Sequence, residues 1–255
     1  MQNALLIGLS RQNALRRELD IVANNIANIN TTGFKADGAV FAEYLNTSAR
    51  AEQFAAPDRR LSFVQDRTTW HDMSQGPIQQ TGNPLDVSIE GEGFLVVQTP
   101  RGERYTRNGA LQINANGLLV NSAGDQVLGD NGPITFNPTD RDIVINKDGT
   151  IRVREGVSPN TDSGRGKLRL VTFANAQQLQ KDSSSTFAAT AGMTPEDATG
   201  ARVVQGTIEK SNVRSVVEMT RMIELSRAYT EVAGILQQQH DLRRSSIERL
   251  AEVPA

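Results

Sequence analysis

The stretch ANNIANINTTGFK, Ala23–Lys35, decides how this chain is read. Asn24, Asn25, Asn28 and Asn30 crowd into it, and Asn is a weak helix former because its amide competes for backbone hydrogen bonds. Yet Val22, Ile26 and Ile29 run through it at helical spacing. Upstream, Met1, Leu5, Gly8, Gln12, Leu15, Leu19, Val22, Ile26 and Ile29 keep an unbroken 4-3-4-3 spacing, and seven of the nine are apolar. That is one seam of a long helix of coiled-coil type. Thr31 and Thr32 weaken the helix and Gly33 can take a left-handed cap, so it is expected to stop there after about 45 Å. A helix carrying amides beside its apolar seam is expected to meet other helices on more than one side.

The other end mirrors this. Ser211 is the expected cap of a helix that runs to about Leu250 with no internal Pro, a rod of about 60 Å. Its apolar residues form two rows. Val213, Val216, Thr220 and Ile223 make the first; Met222, Leu225, Tyr229, Val232 and Leu236 make the second. At a 3.5-residue repeat the rows lie about 150° apart, whereas a helix with one partner needs a single stripe. Arg214, Glu218, Arg221, Glu224, Arg227 and Glu231 alternate in sign along the same helix, which fits either a solvated face or an inter-subunit seam.

Between the ends the period changes to that of short strands: Leu85–Gln98, Arg104–Asn114, Gly117–Gly129, Asp142–Val153 and Lys167–Asn175. Asn108-Gly109, Asn116-Gly117, Gly124-Asp125 and Asp148-Gly149 supply turns. Glu155–Gly166 reads as a loop, and Ala36–Pro77 as an extended connector. The expected class is α+β. Residues 1–35 form an N-terminal assembly helix, 36–80 a connector, 81–206 a central, mostly antiparallel β domain, and 207–255 a C-terminal assembly helix.

Composition excludes several functions. There is no cysteine, so disulfides and thiolate chemistry are absent. A net charge of −2 gives no basic excess for nucleic acid. No apolar run reaches the length of a membrane span, and the N-terminus lacks a basic region and cleavage site of a signal peptide. His71 and His240 are the only histidines, and neither sits in a metal or general-base pattern. Gly91-Glu-Gly-Phe94 lacks the third Gly and following helix of a phosphate loop and reads as a tight bend. Asp125 and Asp148 lack the twelve-residue calcium-loop pattern. Glu90 and Glu92 share a strand face, without the aromatic cleft a glycosidase needs. No catalytic, cofactor or metal residue is assigned. This points to an assembly protein.

The residues also carry a resemblance. ANNIANINTTGFK resembles the N-terminal signature of the bacterial flagellar rod and hook family. TGNPLDVSIEGEGFLVVQ followed by YTRNGALQINANGLLVNSAGDQVLG is similar to the start of that family's β domain. QGTIEKSNVRSVVEMTRMIELSRAYTEV, Gln205–Val232, resembles its C-terminal helix. Together, and in order, these cover both ends and much of the middle. DRTTWHDMSQG before TGNPLD, with GERYTRNG and QVLGDNGPI, looks more like proximal-rod than distal-rod members. The resemblance implies a structural subunit of the torque-transmitting basal-body rod that crosses the periplasm. It implies no enzymatic activity, no cofactor and no small-molecule substrate. It also implies delivery by the flagellar type III export apparatus, self-association, and contacts with inner-rod and distal-rod subunits.

On that reading Leu15, Leu19, Val22, Ile26 and Ile29 form one assembly seam. Asn24, Asn25 and Asn28 fix register unless they are merely solvated, and Phe34 serves as an anchor. Val213, Val216 and Ile223 form a second contact row, and Met222, Leu225, Tyr229, Val232 and Leu236 a third. The alternatives are a distal rod subunit, a periplasmic peptidoglycan-acting enzyme with docking helices, and a soluble binding module.

Overall fold

A computed structural model of the protein describes residues 2–46, 61–155 and 162–251. Met1, 47–60 of the expected connector, 156–161 of the expected loop and 252–255 lie outside the described residues. The chain divides into two compact units. One comprises residues 1–26, 37–70 and 214–255; the other comprises 27–36 and 71–213.

The first unit is a helix pair with a hairpin. Helix α1 spans Gln2–Ala27 and helix α2 spans Ser215–Ala251. Gly8 meets Leu236, Glu18 meets Arg221 and Asn25 meets Glu218, so the two helices run antiparallel. The close approach at Gly8 depends on its missing side chain, because a Cβ there would lie 2.6 Å from Leu236 Cδ2. Within the segment expected as a connector, strands Asp37–Asn46 and Leu61–His71 pair as a two-stranded sheet.

Both helices depart from their expected bounds for local reasons. α1 ends at Ala27, and Asn28–Asn30 form a turn in which Thr31 N–H donates to the Asn28 carbonyl and Thr31 Oγ1 to Asn28 Oδ1. That is the side-chain competition expected of Asn and Thr. α2 begins four residues after Ser211. The hydroxyl of Ser211 accepts from the Val213 N–H, and the first helical bond runs from Glu218 N–H to the Arg214 carbonyl.

The second unit is a β body whose strand pairings are antiparallel. Its central strand, Phe94–Thr99, pairs with Gly102–Thr106, Gln126–Gly129 and Leu170–Thr172. Side chains alternate across a strand, so Leu95 and Val97 enter one apolar cluster while Phe94 and Val96 enter another. Burial on both faces explains the uninterrupted apolar run Phe94-Leu-Val-Val97. A three-stranded sheet of Asp140–Ile145, Thr150–Glu155 and Asp162–Lys167 flanks this core. Strands Val87–Glu90 and Ile78–Gln80 pair with Arg202–Gln205 and Thr207–Glu209, so the C-terminal strands close the body on its earliest ones.

Three strand expectations need correction. Residues 162–166 are strand rather than loop, held by Arg165, which donates to Asp140 and Glu155 across the sheet. Asn108-Gly109 is not a hairpin turn. The strands on either side of it do not pair with each other, and the Gly109 carbonyl accepts from Val87 N–H instead. The stretch Leu85–Gln98 is two strands in two ladders, separated by a bend at Gly91.

Candidate assembly surface

The helix pair is unevenly covered. At 100° per residue, Leu225, Tyr229, Val232 and Leu236 share one face of α2, and Val216, Met219 and Ile223 share another about 140° away. The first face is inward: Leu225 is 9% exposed, and Tyr229, Val232 and Leu236 are half-buried. The second faces outward, with Val216 75% and Ile223 55% exposed, and Met222 lies at the rim. Val213 is half-buried and belongs to the β body. On α1, Val22 is buried, and Leu15, Leu19 and Ile26 are half-buried; Ile29 lies beyond the helix end. Among the described residues this outward stripe is an apolar surface open to solvent.

The asparagines separate by position. Asn25 is buried, its Oδ1 accepts from the Asp37 N–H at 2.9 Å, and its Nδ2 donates to the Asp37 carbonyl at 2.9 Å and to Glu218 Oε2 at 3.4 Å. Its amide therefore mimics a strand partner for the first residue of the hairpin. Asn24 is exposed, and Asn28 belongs to the turn that ends α1.

The TTGFK end of the motif lies in the β body. Phe34 and Lys35 are fully buried. Lys35 Nζ donates to Glu209 Oε1 and to the Ser74 carbonyl, each at 2.6 Å, and Glu209 Oε1 also accepts from Gly76 N–H at 2.9 Å. Arg107 Nη1 reaches Glu209 Oε2 at 3.4 Å, and its Nη2 donates to the Gly91 carbonyl at 2.8 Å. Burial pushes the Lys35 and Arg107 cations below their usual pKa ranges, with Glu209 acting in the opposite direction. Phe34 lies under Lys181, whose Nζ is 3.7 Å from the ring centroid. Gly33 (φ +68°) donates its N–H to the Glu209 carbonyl, and a Cβ there would lie 2.5 Å from the Arg107 carbonyl carbon. Asn212 accepts from Ala36 N–H and donates to the Asp72 carbonyl. Sequence reading missed this cluster, apart from Phe34 as an anchor. Lys35, Arg107 and Glu209 share no local pattern, and only the topology brings them together.

Of the residues weighed for chemistry, His71 is buried edge-on to Phe187, while His240, Glu90 and Glu92 are exposed. Among the described residues no group of three His, Asp or Glu could hold a metal ion, and no helix is long and apolar enough to cross a membrane.

Comparison with known proteins now bears on this geometry. Residues 5–35 match the family described as flagella basal body rod protein. Residues 88–153 match the flagellar hook protein FlgE/F/G D1 domain, and residues 204–249 the flagellar basal body rod FlgEFG protein C-terminal family. The chain is 40% identical over 254 residues to the flagellar basal-body rod protein FlgF of Caulobacter vibrioides, covering 99% of this chain and all of that one. The chain belongs to the flagellar basal-body rod protein family. The FlgF of Mesorhizobium japonicum is 32% identical over 93% of both chains. The FlgG of Bacillus subtilis is 30% identical over 92% of this chain and 94% of its own. The rod-family chain is thus a structural subunit of the flagellar basal-body rod rather than an enzyme.

Proposed function

We propose that this rod protein is a proximal, FlgF-type subunit. On this reading, copies associate with one another and with inner-rod and distal-rod neighbours to form a torque-transmitting shaft across the periplasm. The flagellar type III export apparatus would deliver them. The assembly contacts are made by α1 and α2, in the unit of residues 1–26, 37–70 and 214–255. One observation carries the reading: Val216, Met219 and Ile223 form an outward apolar row on α2, opposite the face that meets α1. Burying that row in a neighbour would stabilise a polymer without disturbing the subunit. Asn24 and the half-buried α1 seam extend the contact set.

A distal-rod role is the second reading, because FlgG proteins also match over about nine-tenths of this chain. Complementation of strains lacking either rod protein separates the two.

Ile223→Asp tests the surface itself. The variant should keep the helicity and thermal midpoint of the parent, since the site is open to water, yet fail to support complete hook–basal bodies by electron microscopy. Leu225→Asp, on the inward face, should instead damage the isolated subunit. Intact basal bodies with Ile223→Asp would remove the row from the interface.

A further inference from the structure

We propose that Glu209 is the ionic fastening of a strap, Gly33–Ala36, whose closure on the β body is completed only when the C-terminal segment is in place, although Lys181 already donates to the Lys35 carbonyl at 3.2 Å. The strap has no other ionic hold among the described residues. Lys35 is fully buried, and its ammonium is held by Glu209 Oε1 and one carbonyl oxygen, both at 2.6 Å. The same residue takes the Gly33 N–H on its backbone carbonyl at 2.8 Å and the Gly76 N–H on its carboxylate. Two residue pairs on either side complete the closure: Asn212 Oδ1 accepts from Ala36 N–H, and the Phe34 carbonyl accepts from Asn212 N–H. Strap and fastener are 174 positions apart in sequence.

Charge makes Glu209 the controlling member. One carboxylate faces two buried cations, Lys35 and Arg107, with weaker attraction from Asp72 and Glu92. Arg107 has only long contacts, 3.4 and 3.5 Å, from Nη1 and no partner for Nε among the described residues, but its Nη2 is anchored on the Gly91 carbonyl at 2.8 Å, so it stays in the site when Glu209 is changed. Removing the carboxylate charge leaves two cations in a dry site, whereas removing Lys35 leaves a balanced Arg107–Glu209 pair. The residue that follows α1 into the body is therefore fixed by one that precedes α2. In a chain that emerges from its N-terminus, Lys35 lacks its carboxylate partner until residue 209 arrives.

Amide hydrogen exchange on the full chain tests this. In Glu209→Gln, which keeps the shape and an acceptor oxygen, the Gly33, Ala36 and Gly76 amides should exchange about a hundredfold faster. Amides of strands Phe94–Thr99 and Gly102–Thr106 should hold their protection. Lys35→Met, despite the larger change in chemistry, should accelerate the same three amides by only about tenfold. A Glu209→Gln chain that does not fold would overturn the proposal. Unchanged exchange at the three amides would overturn the proposal. So would equal acceleration in the central strands, because Glu209 would then support the whole body and fasten no strap.

Discussion

The β body and the helix pair solve burial differently. In the body, Phe94, Leu95, Val96 and Val97 are covered on both faces of one strand, and even the cations Lys35 and Arg107 are dry. On α2, a single row is covered and the opposite row meets water. The body is a finished object and the helix pair a half-finished one. On the proposed reading a rod subunit uses both: a part that holds its shape alone and a part whose remaining apolar surface neighbours would cover. Breaking residues in each part should separate these roles.

The largest effect is expected at Gly33. Its φ of +68° disfavours any L side chain, and an added Cβ would meet rigid backbone at Arg107 and Asn108. Gly33→Ala should cost about 2–4 kcal/mol, read as a lowered urea midpoint of the body. A loss under about 1 kcal/mol would show that the turn relaxes freely and that the body is less tightly specified than its burial suggests.

A smaller effect distinguishes two adjacent asparagines on α1. Asn25→Ala removes the partners of both the N–H and the carbonyl of Asp37 and should destabilise the subunit by about 1–3 kcal/mol, despite a gain in helix propensity of a few tenths. Asn24→Ala, at an exposed site, should stay within about 0.5 kcal/mol in the isolated subunit. Thermal denaturation of the two variants gives the comparison directly. Equal effects would mean that the hairpin does not depend on the Asn25 amide.

The same pair of residues shows what was legible in the sequence. The 4-3 spacing located α1 and the 3-4 spacing the two displaced rows on α2, because helical periodicity is local, but it did not tell which row turns inward or that Val213 belongs to the β body. Asn116-Gly117 and Asp148-Gly149 predicted real hairpins for the same reason. What periodicity could not reveal was which Asn turns inward, since Asn24 and Asn25 are alike in sequence and differ only in what lies beside them. The strand Asp162–Lys167 was missed because its composition, with Gly164 and Gly166, favours a loop. Arg165 holds it through Asp140 and Glu155, which belong to other strands. Asn108-Gly109 carried a strong hairpin signal that the topology overrode. Lys35 follows a turn signal at Gly33, and nothing local points to its partner Glu209, 174 positions away.

That Arg165 contact supports the smallest predicted effect, at the margin of the body. The Asp140 carboxyl accepts from Arg165 Nε at 2.7 Å and Nη2 at 2.6 Å, and hydrogen bonding from Arg165 is the main reason it is held below its ordinary value of 3.8. A carboxyl whose native pKa is depressed binds its proton less readily folded than unfolded. Its contribution to stability is therefore complete above about 3.8 and is lost as pH falls through the lower native value. Asp140→Asn should lower the urea midpoint at about pH 5, and the gap from the parent should close as the pH approaches about 2. A gap that stays constant across that range would mean that Asp140 acts by packing or neutral hydrogen bonding alone. The three-stranded sheet would then owe its closure to the buried Ile145, Ile151 and Val153 rather than to its ionic tie.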